Sequence, residues 1–390
     1  MNSLATATSA QVIDAPKRLA TAFVPITIAI AMALVIHVAG VVAGENGQYM
    51  TRVAIDCAVA IIAAVSLTVV NGFTGQFSIG HAAFMAIGGY TAAMISYYVC
   101  LRHLEPQQIG TIQATLLGSK QWLLVFACVF GGVFAAIAGW IVGLPSLRLR
   151  GDYLAIVTLG FGEIVRVLLQ QTPKQIDSHG DFVRASAFSS VPASDAGPAL
   201  SPWLFPPAAN GALGFQNLPK LTNLFWAYLF VGAVVLFAYR LKQSSTGRAL
   251  LSIREDEIAA ESMGVNTSKL KVRAFMFAAF FAGIAGGLYA HQQGVVLTPK
   301  DAGFQRSFDI VMMVVLGGLG SISGSVLAAI VITIANAWLA PLGEYRMILF
   351  AAALVLMMIF RPKGLFGLKE VWDVFGGRRE PKGSGQGGSY

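Results

Sequence analysis

Residues 122–144 read WLLVFACVFGGVFAAIAGWIVGL and contain no charged side chain. A helix needs about 20 apolar residues to cross a hydrocarbon core of about 30 Å, and this run is long enough. Nine other apolar runs lie along the chain. Together they predict an all-α, polytopic membrane protein with about ten transmembrane helices. The ten runs are 21–43, 53–70, 78–100, 122–144, 153–170, 223–241, 272–291, 308–321, 323–340 and 345–360.

The composition excludes several classes of protein. The chain has 390 residues, of which 56% are hydrophobic and 12% are charged, whereas a soluble domain carries about 25% charged residues. So few charges cannot cover a soluble globule, which argues against a soluble enzyme, a nucleic-acid binder and a disordered chain. Cys57, Cys100 and Cys128 lie in apolar runs without metal-ligand or redox spacing. We therefore expect buried thiols and no metal site.

The distribution of lysine and arginine predicts the orientation. If the N-terminus is inside, the inner segments hold most of these residues, as the positive-inside rule requires. The net charge of +8 is then a topology signal, and no nucleic-acid partner is expected. An even number of spans places both termini in the cytoplasm. We expect a leader at 1–20, a transmembrane domain at 21–368 with an external insertion at 172–222, and a disordered tail at 369–390.

Residues 245–264 are polar and highly charged, and they predict a cytoplasmic surface helix. Ser252 followed by Glu255 has the spacing of a capping box, and Gly264 suits the position after a helix C-terminus. Ile258 and Met263 would give the helix a short apolar face with acidic neighbours, which suits a groove on another protein. The alternative is an ordinary solvated connector.

Two glycine-rich breaks, at residues 71–81 and 316–324, interrupt the apolar pattern. Unwound backbone at membrane depth survives only beside protein or a watery cavity, and paired interrupted helices mark transport paths. We therefore hypothesise that the breaks line the substrate path. The alternatives are close packing or a cytoplasmic turn, and a structural role for the histidine. The candidate path residues are Gly75, Gln76, Ser78, Gly80, His81, Gly317, Gly318 and Gly320.

Other features of the spans have a structural interpretation. The spacings Gly283/Gly287 and Gly139/Gly143 predict close helix packing. Glu163 and Arg166 stand three residues apart and can pair on one helical face. The alternative is a functional role, because ionisable residues inside spans are often functional. Asp309 lies beside Arg306 and can also pair, and Arg346 can reach the interface from the last span.

Several motifs resemble one family. Residues 254–264 (REDEIAAESMG) and 280–290 (FFAGIAGGLYA) closely resemble the cytoplasmic loop of ABC-transporter permeases, in the branched-chain amino acid, LivM-type variant. Residues 75–84 (GQFSIGHAAF) resemble the family's first glycine-rich motif, and residues 147–160 (LRLRGDYLAIVTLG) its central one. Its C-terminal motifs are similar to residues 315–321 (VLGGLGS), with Gly324, and to residues 361–366 (RPKGLF).

This resemblance implies an importer subunit in a bacterial inner membrane. It implies a second, related permease, two cytoplasmic ATPases, an external binding protein and branched-chain amino acids as substrate. Urea, short amides and other amino acids are alternatives. The chain itself would bind no cofactor, and the partners would use ATP. The residues implied at the ATPase contact are Arg254, Glu255, Glu257, Ala259, Ala260, Glu261 and Gly264.

Catalytic motifs are absent from the sequence. It contains no phosphate-binding loop, no zinc-binding helix motif and no nucleophile elbow, so we expect no catalytic residue and no ATPase site. A membrane enzyme is disfavoured for this reason. A secondary transporter driven by an ion gradient is the other alternative. It is disfavoured because the spans hold no relay of carboxylates.

Overall fold

In the computed structural model, the described residues are 27–36, 45–101, 121–146, 153–172, 211–215, 218–343 and 345–360. Helices make up the regular structure of these ranges, apart from one antiparallel bridge between Phe215 and Leu297. The α-helices are α1 Thr27–Ile36, α2 Glu45–Leu67, α3 His81–Leu101, α4 Gln121–Ser146, α5 Tyr153–Gln170, α6 Leu224–Gln243, α7 Ser245–Glu255, α8 Glu257–Ser262, α9 Thr267–Ala290, α10 Phe304–Gly317, α11 Ile322–Trp338 and α12 Tyr345–Phe360.

Six helices of the described chain are long and apolar enough to cross a membrane. This confirms the prediction of an all-α polytopic membrane protein. They include the run predicted at 78–100, which forms the span His81–Cys100. The six spans are Gly47–Thr74, His81–Cys100, Gln121–Leu144, Tyr153–Gln170, Leu224–Gln243 and Thr267–Ala290.

Helix α9 lies at the centre of the bundle and packs on α2, α3 and α4. Glycines permit this close approach, because most of their neighbours are backbone atoms or small side chains. A Cβ added at Gly283 would lie 2.6 Å from the Ala135 side chain, and one at Gly139 would lie 2.6 Å from that of Ala279. Gly287 likewise faces Cys128. The predicted packing role of these glycines is confirmed, and all three cysteines are buried as expected.

The two runs predicted at 308–321 and 323–340 differ from ordinary spans. Helix α10 begins at Phe304 and has 14 residues, and α11 has 17 residues. At 1.5 Å per residue, each helix is shorter than the hydrocarbon core of about 30 Å. They pack against each other where Gly317 approaches Gly324. The stretch 308–340 is therefore two short helices joined by a turn.

Parts of the prediction lie outside the described residues. These are the leader at 1–20, the tail at 369–390, the motif at 361–366 and most of the insertion at 172–222. The two described ends of that insertion meet, because Gly211 N donates a hydrogen bond of 3.0 Å to Thr172 Oγ1.

Candidate functional site

The two glycine-rich breaks meet at one end of the bundle. Helix α2 continues as a π-helix, Thr68–Thr74, a geometry that often marks functional sites. A Cβ added at Gly72 would lie 2.7 Å from Gly320 N in the turn between α10 and α11. Gly318 and Gly320 have φ values of 105° and 93°, which side chains other than glycine rarely adopt. The sequence therefore permits a tight turn that touches the end of α2.

Two basic side chains bind the carbonyl groups that these breaks leave free. Arg254 Nη1, from the end of α7, donates to Gly72 O at 2.8 Å and to Leu319 O at 3.4 Å. Lys242 Nζ, from the end of α6, donates to Gly320 O at 2.9 Å. Carbonyls at helix ends lack partners within the helix and are satisfied in this way. The polar α7–α8 segment is thus bonded directly to both breaks.

The predicted path residues of the first break have mixed surroundings. His81 is buried, and its Nε2 lies 2.7 Å from Ser66 Oγ. Gly80 packs against the Thr158 carbonyl. Ser78 Oγ is buried without a hydrogen-bond partner among the described residues, whereas Gln76 is half-buried. The contacts of Gly80 and His81 are those expected from the close-packing alternative. That the first break lines the substrate path stays a prediction.

In the second break, Gly317, Gly318 and Gly320 are all buried. A Cβ at Gly317 would lie 2.6 Å from Ser325 N, so this position has room only for glycine. Contacts with α10, α11 and the end of α2 fill the second break.

The predicted cytoplasmic helix is divided in two, and the predicted capping box is wrong. Ser252 lies inside α7, where its hydroxyl donates to Ala249 O at 2.9 Å. The cap is Asp256, whose Oδ1 accepts from Ile258 N at 2.9 Å and from Ala259 N at 3.0 Å. An aspartate accepts these bonds at the start of α8 as readily as a serine would. The glycine stop is present, because Gly264 follows α8 with φ 83°.

The predicted ATPase-contact residues of the α7–α8 segment divide into two groups. Arg254 binds the breaks, Glu257 forms an ion pair with Lys271 of α9, and Ala260 is buried. These residues hold the segment on the bundle. Glu255, Ala259, Glu261 and Gly264 form the exposed group, and the apolar Ile258 and Met263 are exposed beside them.

Ile258 is 66% exposed and Met263 is 84% exposed. The prediction of an exposed apolar face outside the spans is therefore confirmed. Apolar side chains on a helix of this kind suit a groove on another protein.

The predicted pair inside α5 is confirmed. Arg166 Nε lies 2.6 Å from Glu163 Oε2. Glu163 Oε1 also accepts from Phe304 N at 3.4 Å. The pair therefore joins α5 to the first turn of α10, which is a structural role.

The far end of α2 contains a feature that the sequence analysis missed, a cavity of about 440 Å³. We call it the α2–α10 cavity. Arg52 and Asp56 of α2 and Arg306 and Asp309 of α10 line it. The signal was the recurrence of paired charges at helical spacing in two apolar runs. Only the fold brings Arg52 and Arg306, which are 254 positions apart, to one cavity.

Asp56 and Arg306 both contact neighbouring groups. Gln292 Nε2 donates to Asp56 Oδ1 at 3.0 Å, and the Arg306 guanidinium lies 5.1 Å from the centroid of the Tyr289 ring. Lys220 Nζ donates at 2.8 Å to the carbonyl oxygen of Val295, a residue that lines the cavity. Burial lowers the pKa of the Lys220 ammonium group, which is the direction expected when a charge loses water.

The described chain has the features expected of a membrane transport protein. These are several spans, broken helices at one end of the bundle, a charged cavity at the other and an exposed amphipathic segment. Residues 49–360 match the family described as branched-chain amino acid transport system / permease component. The chain belongs to this family.

Named relatives agree with this assignment. The permease protein LivM of the high-affinity branched-chain amino acid transport system of Escherichia coli K12 is 35% identical over 317 residues, which cover 78% of this chain and 67% of the relative. LivH of Salmonella typhimurium is 24% identical, covering 84% and 97%. A probable LivM of Methanocaldococcus jannaschii is 23% identical, covering 80% and 92%. No solved structure was found to match.

Proposed function

We propose that the chain is a membrane-spanning permease subunit of an ABC importer, which receives branched-chain amino acids from an external binding protein. Relatives named as permease proteins of branched-chain amino acid transport support this proposal. Because the chain resembles both LivM and LivH, a second, related permease is proposed as its partner. Two cytoplasmic ATPases use ATP, and this chain binds no cofactor.

The connection of the α7–α8 segment to both breaks carries the proposal. A motor subunit that grips Ile258 and Met263 pulls on α8. The neighbouring Arg254 is bonded to Gly72 and Leu319, so the movement reaches α2 and the turn between α10 and α11. ATP drives the cycle only if it binds the two states of the complex with different affinity. In this proposal the movement opens the contacts that fill the breaks, and the breaks, with Gln76 and Ser78, then form the inner end of the substrate path.

The proposed orientation follows from the lysine and arginine bias. The α7–α8 segment and both termini lie in the cytoplasm of a bacterial cell, and the α2–α10 cavity opens to the outside of the inner membrane. The cavity lies at one end of α2, and the α7–α8 segment contacts the other end. Delivery from an external protein and ATP-driven movement would therefore act at opposite ends of the same helix.

The complete complex in proteoliposomes tests the proposal. Labelled leucine uptake is measured with ATP inside and the binding protein outside. Met263→Glu places a charge on the proposed ATPase contact and should lower uptake at least tenfold. Thr246→Glu is the matched control, because it adds the same charge at an exposed residue in the first turn of α7, outside the predicted ATPase contact. Its uptake should stay at the native level.

Other outcomes separate the alternatives. Leucine uptake by vesicles that carry this chain alone, driven by a proton or sodium gradient, contradicts the proposal and favours a secondary transporter. Uptake of urea or an amide in preference to leucine keeps the ABC mechanism and replaces the substrate.

A further inference from the structure

The α2–α10 cavity has a charged half and an apolar half. Along α2, Arg52 and Asp56 precede Val59, Ala60 and Ala63, and all five residues line the cavity. From Asp56 to Ala63 the helix rises about 10 Å at 1.5 Å per residue. The wall of α2 therefore changes from charged to aliphatic with depth.

Helix α10 repeats this gradient on the opposite wall. Arg306 and Asp309 precede Ile310 and Met313, and all four line the cavity. Both helices run from the cavity toward the breaks, so their charged halves lie at the same level. Thr333 Oγ1, on the wall contributed by α11, is buried and has no hydrogen-bond partner in the described part of the chain.

The charges form a balanced set of two arginines and two aspartates. Guanidinium groups bind carboxylates, often through two parallel hydrogen bonds, and carboxylates accept from an ammonium group. A site of one sign would select an anion or a cation. A site with both signs and no net charge matches a zwitterion, and an aliphatic floor beneath it matches an apolar side chain.

We propose that the α2–α10 cavity is a binding site in this chain for an aliphatic α-amino acid, with its charged head at Arg52, Asp56, Arg306 and Asp309 and its side chain toward Ala63 and Met313. The inference rests on the proposed function and extends it. It assigns part of the substrate recognition to the permease itself. A volume of about 440 Å³ lies within the range of about 300–1,000 Å³ typical of small-molecule sites.

The charged half also separates amino acids from the other substrate classes. Urea and short amides carry no charge, so a wall of two arginines and two aspartates offers them no complementary group of either sign. Burying charges in a membrane protein is costly unless they pair or serve a function. A neutral, polar substrate would be served better by hydroxyl and amide groups.

A photoreactive leucine analogue that carries a diazirine on its side chain tests the site. The complete native complex, in proteoliposomes with binding protein and ATP, is irradiated during uptake and digested, and the labelled peptides are mapped. We expect label within residues 49–63 and 304–313. Excess leucine should abolish it, and excess urea should not. Label confined to other parts of the chain, or to the partner permease, overturns the proposal.

Charge removal provides a second measurement. Arg306→Gln should lower cavity labelling at least tenfold in assembled complex. Lys300→Gln makes the same charge change at an exposed residue that is close in sequence to Arg306 but does not line the cavity. This variant should be labelled to the same extent as the native chain. Equal labelling of both variants overturns the proposed role of the charged half. If Arg306→Gln does not assemble, the map of the native complex still decides.

The same vesicles distinguish this inference from the proposed function. ATP-driven leucine uptake without any label in the cavity overturns the inference and leaves the proposed function intact. An assembled complex that hydrolyses ATP but imports no leucine overturns the proposed function and, with it, the inference.

Discussion

At the scale of single residues, the bundle depends on positions where one additional carbon does not fit. A Cβ at Gly286 of α9 would overlap the carbonyl oxygen of Met85 in α3, and one at Gly88 would overlap the backbone of Gly283. The obstructing atoms are backbone, so no rotamer change relieves them. Membrane helices associate largely through such close packing, because in lipid there is no hydrophobic driving force that brings them together.

Substitution of two glycines tests this dependence. Gly286→Ala should destabilise the chain by about 1–3 kcal/mol, the usual effect of overpacking. Gly160→Ala is the control, because a Cβ there meets nothing within 4 Å; it should be neutral or stabilise α5 by up to about 1 kcal/mol. Thermal unfolding in detergent measures both. Equal melting temperatures for the two variants would show that the contact of α9 with α3 is looser than described.

Arg254 tests whether the link between the α7–α8 segment and the breaks transmits movement. Arg254→Ala removes the donor to Gly72 O and Leu319 O, so leucine uptake per ATP hydrolysed should fall at least tenfold while the complex still assembles. Arg248→Ala is the matched control, because within the described residues its guanidinium bonds groups close in sequence, Gln243 O and Ser245 Oγ. An unchanged ratio of uptake to hydrolysis in Arg254→Ala would remove this arginine from the coupling route.

At the scale of elements, Asp256 divides the polar segment into two helices with different contacts. Helix α7 is held by Leu250 and Ile253, which are buried, whereas α8 has Ala260 as its buried residue. With six residues, α8 is too short to be stable alone. Its N-terminal cap and the ion pair of Glu257 with Lys271 therefore fix the surface that carries Ile258 and Met263.

Asp256→Ala should lower the local stability of α8 by about 0.5–2 kcal/mol, the usual cost of losing such a cap. Backbone amides of residues 258–263 should then exchange with deuterium roughly 2-fold to 30-fold faster, since about 1.4 kcal/mol corresponds to a factor of ten. Asp256→Asn keeps an acceptor oxygen and should restore most of the protection. If Asp256→Ala exchanges at the native rate, packing and not the cap determines α8.

The elements also show how far the sequence predicts the fold. Uninterrupted apolar runs predict α3, α4 and α9 well, because the length of a span is a local property. The predicted capping box failed because Ser252 and Asp256 both precede apolar residues, and only packing decides which one begins a helix. The sequence could not show that α10 and α11 are shorter than full spans. The point where α10 ends and α11 begins depends on the turn between them, which contacts α2.

At the scale of the whole molecule, the functional features arise from contacts between distant parts of the chain. Thr68 Oγ1 lies 2.8 Å from Ser325 Oγ, 257 positions away, and Gln292 reaches Asp56 across 236 positions. A single sequence contains no signal for such pairs. The α7–α8 segment was predictable because its chemistry is local. The α2–α10 cavity was not, because its two charged pairs belong to different helices.

The orientation of the molecule is testable through its cysteines, all three of which are buried. Lys300→Cys and Ser262→Cys each place one exposed thiol, at the cavity end and on α8 respectively. A membrane-impermeant maleimide should label Lys300→Cys in right-side-out vesicles and Ser262→Cys in inside-out vesicles, and it should leave the native chain unlabelled. The inverse pattern would put the α7–α8 segment outside the cell, where no ATPase could grip it, and would turn the charged cavity toward the cytoplasm. Because α2 joins the two ends, a single reversal would contradict both the coupling role and the proposed direction of import.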